Sequence, residues 1–197
     1  MKQLSTLFSI LVLCGGLTAG EQEYNGKSLN YWLQRLESQD KLVRQNSVHA
    51  LGKIRSRSPQ INEALKKALR DKEPNVRAEA ADSLGRRRSG ARNCISVLIE
   101  VFQQDKDTFV RGAAALAMGQ IGGNSQAAAA LAKGLKDKSL HIRTHASYAL
   151  GRMGRSAQTV VPALVEALKD SSVTVRRNAK NALQRIDPAA LQRAEKK

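Results

Sequence analysis

Apolar and small residues recur along most of this chain at steps of four, as in Val76, Ala80 and Leu84 or Ile142, Ala146 and Leu150. Steps of four put side chains on one face of an α-helix, so each set predicts a helix with a single buried stripe. Three residues ahead of each stripe stand Asp40, Glu73, Asp107, Ser139 and Ser172. Most of these are residues whose side-chain oxygens accept the first free N–H groups of a helix. Pro74 follows Glu73 at the first helical position, where its missing N–H is no loss. Upstream of each cap lies another amphipathic run: LNYWLQRLE, INEALKKALR, CISVLIEVFQQ, AAAALAKGLK and VVPALVEALK. The pattern is helix, tight turn, helix.

The second helix of each pair opens on the same two residues. They are Val43-Arg44, Val76-Arg77, Val110-Arg111, Ile142-Arg143 and Val175-Arg176, at intervals of 33, 34, 32 and 33 residues. A helix pair of this length cannot bury its apolar stripe alone, so neighbours must stack. The expected fold is all-α, an α-solenoid of five helix-turn-helix repeats over residues 21–187, without an internal linker and with a basic tail at 188–197.

Residues repeated in every unit point to architecture, because a catalytic residue is needed only once. Asp and Arg stand six apart at 71/77, 105/111, 137/143 and 170/176, with Ser38 replacing the first Asp. Gly52, Gly85, Gly119 and Gly151 recur inside predicted helix, where Gly costs about 1 kcal/mol against Ala. Their repetition predicts close helix approach. Gln184 fills this place in the last unit, and Arg87 stands where other units have Ile54, Ile121, Met153 or Ile186, which predicts looser packing in the second unit. Trp32 reads as apolar cover for the end unit, and Cys94, aligned with Ile61 and Val160, as core.

Charge adds a class of partner. The 197 residues carry a formal net charge of +16, from 33 Lys plus Arg against 17 Asp plus Glu. Such a surface attracts acidic proteins, anionic polymers, membrane surfaces or nucleic acid. The linkers KIRSRSPQ, RRRSGARN, QIGGNSQA and RMGRSAQT hold nine basic residues and no acid, whereas the turns inside units are net acidic. These lie on opposite edges of the stack, so one edge becomes an anion-binding rim of Arg55, Arg57, Arg86, Arg87, Arg88, Arg92, Arg152 and Arg155. The planar fork of Arg suits carboxylate and phosphate.

The concave face is read from positions that vary between units. Stripes Gln45-His49-Lys53, Ala78-Asp82-Arg86, Gly112-Leu116-Gln120, Thr144-Tyr148-Arg152 and Arg177-Asn181-Arg185 lie off the core. His49, Asp82, Leu116, His145 and Tyr148 are the expected contacts for a protein or peptide ligand.

The first twenty residues have one early Lys, an apolar run from Leu7 to Leu13 and small residues up to Gly20. That layout is a secretory signal, with cleavage after Gly20 and a periplasmic or secreted product. Leu11-Val12-Leu13-Cys14 offers an alternative, a lipobox that would acylate Cys14.

The recurring Asp, Val/Ile-Arg, Ala and Leu-Gly resemble the HEAT-repeat family in its short, bilin-lyase-like form. That resemblance implies an inter-repeat ladder, the Asp holding the turn and the Arg packing across it. The family also holds scaffolds, bilin lyases, deoxyhypusine-hydroxylase-like enzymes and DNA-glycosylase-like enzymes. The hydroxylase branch binds iron through His-Glu pairs, but here His49, His141 and His145 are followed by Ala, Ile and Ala. Neither a Gly-rich phosphate loop, a nucleophile elbow nor a zincin motif is present, and no pattern calls for a metal or cofactor. The expectation is an exported scaffold, with a solenoid enzyme of one of these branches as the alternative.

Overall fold

A computed structural model describes residues 23–196. The segment read as a signal, with Cys14, lies outside these residues. A hairpin opens the description, β1 (Glu23–Tyr24) antiparallel to β2 (Lys27–Ser28). Its turn is Asn25 and Gly26 at φ 51° and 68°, the left-handed pair that a two-residue hairpin turn needs.

Five helix pairs follow: α1 (Leu29–Arg35) with α2 (Lys41–Lys53), α3 (Pro59–Ala68) with α4 (Pro74–Arg86), α5 (Ile95–Gln104) with α6 (Thr108–Ile121), α7 (Ser125–Gly134) with α8 (Leu140–Met153), and α9 (Val161–Ala167) with α10 (Val173–Ile186). The even-numbered helices each pack on the next and form a continuous inner layer, with the odd-numbered helices outside. One apolar core runs through the whole stack, with Leu51, Leu65, Leu84, Leu98, Leu131 and Leu150 fully buried. Burying each such side chain contributes about 1.5–3 kcal/mol.

The repeated glycines sit where inner helices meet. A Cβ on Gly119 would lie 2.8 Å from Ala149 Cα, and one on Gly52 would lie 2.4 Å from Ser83 Oγ. Missing side chains thus let the inner layer close up.

Asp40, Glu73, Asp107, Ser139 and Ser172 are all cap positions, but only Asp40 and Asp107 accept helix N–H groups through their side chains. All five caps are also held from two residues upstream. Asp71, Asp105, Asp137 and Asp170 each accept the backbone N–H of the cap at 2.8–2.9 Å. Ser38 does the same for Asp40 at 3.2 Å.

The arginine six residues after each turn aspartate does not pair with it. Arg77 donates through Nη1 to the carbonyls of Asp71 and Lys72, then reaches forward to Asp105 of the next unit through Nε and Nη2, at 2.7 and 2.9 Å. Arg44 grips Asp71, and Arg143 grips Asp170, in the same way. In the first unit Ser38 stands at this place, and no ladder arginine from a preceding unit reaches it among the described residues.

The stretch read as a basic tail is largely a helix, α11 (Pro188–Glu195), capped by Asp187, whose side chain accepts from Ala190 N at 2.9 Å. Ala190 and Leu191 are buried in the core, so the helix covers the last pair.

Candidate functional site

The expected rim divides into arginines that hold the fold and arginines that face solvent. Arg87 belongs to the first kind. Its Nε donates to Asn62 Oδ1 at 2.8 Å, Nη2 to the Ser56 carbonyl at 2.9 Å, and Nη1 to the Ile54 carbonyl at 3.4 Å. Burial pulls its pKa below the usual arginine value. All three Arg87 nitrogens are therefore engaged within the fold, and the looser packing expected of the second unit is not found at this place. A polar cluster fills the position that Ile or Met fills elsewhere. Asn62, itself buried, also donates to Gly90 O and Asn93 Oδ1 at 2.7 and 2.9 Å. The cluster ties the first linker to the second.

Arg86 is also engaged within the fold. It donates to Glu79 Oε1 and Ser83 Oγ at 2.6 Å and also pairs with Asp82. It is matched by carboxylates on the inner layer rather than left unpaired on the linker edge. Arg88 is exposed just beyond, at φ 50°, where the chain leaves α4 for a 3₁₀ turn over Arg88–Cys94. Arg55, Arg57 and Arg92 are also exposed on these tied linkers. Arg155 is exposed on the 3₁₀ turn Gly154–Val160, whereas Arg152 lines a groove of the inner face with Tyr148, Asn181 and Arg185. None of these six makes an ion pair among the described residues.

Of the inner-face candidates, His49 and Asp82 share one network. His49 donates from Nδ1 to Glu79 Oε1 at 3.0 Å, and the Tyr24 ring of the hairpin stands edge-on to it at 6.0 Å. Glu79 thus bridges His49 to Arg86, and Asp82 joins the same network. Nothing in the sequence singled out Glu79, whose role depends on stacking two helices. Leu116 is half-buried, and Tyr148 is exposed. The groove beside Tyr148 holds about 150 Å³, below the roughly 300–1,000 Å³ of a small-molecule site. His145 lies outside that network. Its Nδ1–H donates to the His141 carbonyl at 2.7 Å, and the two rings lie 4.1 Å apart.

The turn edge differs from its expected acidity. Asp71, Asp105 and Asp170 are held by Arg44, Arg77 and Arg143 from the inner helices, so much of its negative charge is already matched. Exposed Lys72, Lys106 and Lys138 remain on the outside.

Chemistry at Cys94 is suppressed, since the thiol is buried and burial raises its pKa. Among the described residues no group of three His, Cys, Asp or Glu side chains could hold a metal ion, and no helix is long and apolar enough to cross a membrane.

Comparison with known proteins bears on the fold. A family model of HEAT repeats matches residues 29–119, 64–151 and 95–184. The complex of CpcE and CpcF of phycocyanin lyase from Nostoc sp. PCC7120 is similar at 26% identity and a TM-score of 0.71, over 84% of this chain and 68% of that one. A designed armadillo repeat protein in complex with the peptide (KR)4 is similar at 21% identity and a TM-score of 0.61, over 79% of this chain and 80% of that one. An engineered protein is similar at 22% identity and a TM-score of 0.63, over 85% of each chain. The last two show the fold alone. No curated protein matches the chain.

Proposed function

The chain belongs to the HEAT-repeat family, and from that premise we propose that it is an exported, non-catalytic interaction module that holds an acidic protein partner. Contact is made along the linker edge, with the inner face of the later units alongside it. The observation that carries this reading is the set of exposed arginines, Arg55, Arg57, Arg88, Arg92, Arg152 and Arg155, none of which makes an ion pair among the described residues.

Solenoids offer extended surfaces of this kind, built from loops and helix faces that differ between units. Four of the six arginines stand on linkers tied together by Arg87 and Asn62. A fixed array loses less conformational freedom when a partner binds, which favours affinity. The export reading draws its support from the first twenty residues.

Binding of poly-L-glutamate, followed by fluorescence anisotropy, tests the edge. Replacing Arg55, Arg57, Arg88 and Arg92 by Ala should weaken binding, and added salt should narrow the gap. Unchanged binding by that variant would end the reading.

A further inference from the structure

One junction in the stack is built differently from the rest. Between the third and fourth units, Arg111 keeps the bond to its own turn, Nη1 to the Asp105 carbonyl at 2.9 Å. Its Nη2 has only a long contact to Thr108 Oγ1, at 3.4 Å. Nε and Nη2, the donors that hold a carboxylate at the other three junctions, make no ion pair here among the described residues.

The open rung coincides with a shorter spacing. The paired residues stand 27, 28 and 27 apart in sequence, whereas Arg111 and Asp137 stand 26 apart. The outer helices repeat the difference. Lys67–Glu37, Arg70–Glu100 and Lys136–Glu166 bridge the other junctions, and no such pair bridges this one among the described residues.

Two residues before the open arginine in α6 is Phe109, the most exposed of the large apolar side chains described, at 74%. Its ring lies 5.0 Å from that of His141. His141 in turn lies over Gly112, where a Cβ would be 2.4 Å from Nε2. The result is an aromatic shelf whose His141 lies close enough to Arg111 to feel its charge. Exposed Lys106 and Lys138 flank it. The nearby acids are partly engaged, Asp107 by the first N–H groups of α6 and Asp137 by Ser139 N.

We propose that this third junction docks an acidic peptide segment of a protein partner. The segment's carboxylate takes Nε and Nη2 of Arg111, as Asp71, Asp105 and Asp170 take the equivalent donors of their arginines. An adjacent apolar side chain lies on Phe109 and His141. The proposal rests on the interaction-module reading, but the site is on the turn edge, away from the linker arginines, so each can fail alone.

The test uses the isotopically labelled full chain titrated with the acidic peptide acetyl-ELDLE-amide, with the neutral acetyl-QLNLQ-amide as control, followed by NMR. Saturable shifts are expected at Arg111 Nε–H and the Phe109 ring with the acidic peptide only. Arg111→Ala should weaken binding by about tenfold or more, the size of a charge-assisted hydrogen-bonded contact. Arg88→Ala with Arg92→Ala should weaken it far less. The proposal is overturned if Arg111→Ala binds like the parent, or if Arg111 Nε–H in the free protein already shows the ion-paired signature of Arg44, Arg77 and Arg143. Loss in the linker variant alone would end this proposal and leave the linker reading standing.

Discussion

Arg77 and Asp105 belong to different repeats yet form a two-point ion pair, with both side chains 8% exposed. The pair closes the junction between the second and third units and also secures the turn that starts α6. Removing one partner leaves a buried charge uncompensated, which typically costs 3–5 kcal/mol. Asp105→Ala should lower unfolding free energy by about that amount in urea titration. Asp137→Ala, at the open junction, should cost only about 1 kcal/mol through its lost bond to Ser139 N.

Acid should attack the same pairs. Burial alone would raise the pKa of Asp71, Asp105 and Asp170, but the arginine hydrogen bond, the backbone N–H and the arginine charge together hold each below its usual value. Their unfolded pKa is about 3.9. The stabilisation is therefore complete above that value and is lost as pH falls through the lower folded pKa. The melting temperature should be insensitive to these three groups near neutrality and fall below about pH 4. Asp105→Asn should start lower and fall less steeply, and an equal slope would count against the ladder as the acid-sensitive element.

Closeness of the inner helices can be probed with single methyl groups. A Cβ on Gly119 would meet Ala149 at 2.8 and 3.0 Å, including backbone that cannot turn aside, whereas one on Gly151 meets Ala182 at 3.3 Å. Gly119→Ala should destabilise by about 1–3 kcal/mol through overpacking. Gly151→Ala should be close to neutral, because the helix gains about 1 kcal/mol in propensity. Thermal unfolding of the two variants compares them directly.

Arg87 and Arg88 are neighbours with opposite roles. Arg87→Ala removes the donors that join Asn62 to Ser56, and should cost about 1–3 kcal/mol and speed amide exchange over residues 54–58. Arg88→Ala removes an exposed side chain held at φ 50°, and should leave stability within about 0.5 kcal/mol.

The repeat unit was legible because it is written several times. Five Val/Ile-Arg pairs and four glycines at one register gave the stacking, and Cys94 fell in the core as its aligned neighbours required. What depends on contact between units was not legible. Three consecutive arginines look alike, but α4 ends between them, so Arg86 turns to Glu79, Arg87 inward and Arg88 out. The ladder's forward direction likewise exists only once units are stacked. Two signals of contact between units are nonetheless present in the sequence. The 32-residue interval marks the open junction at Arg111, and Asp187-Pro188 is a helix start that announces α11.

The central claim is that the linker arginines form a site rather than merely adding charge. Two double variants remove the same charge from opposite edges, away from the third junction: Arg88 and Arg92→Ala on the linker edge, and Lys72 and Lys169→Ala on the turn edge. Affinity for poly-L-glutamate at fixed salt should drop about tenfold or more in the first and no more than about twofold in the second. Equal losses in both would mean that net charge alone attracts the polymer, and would contradict the account.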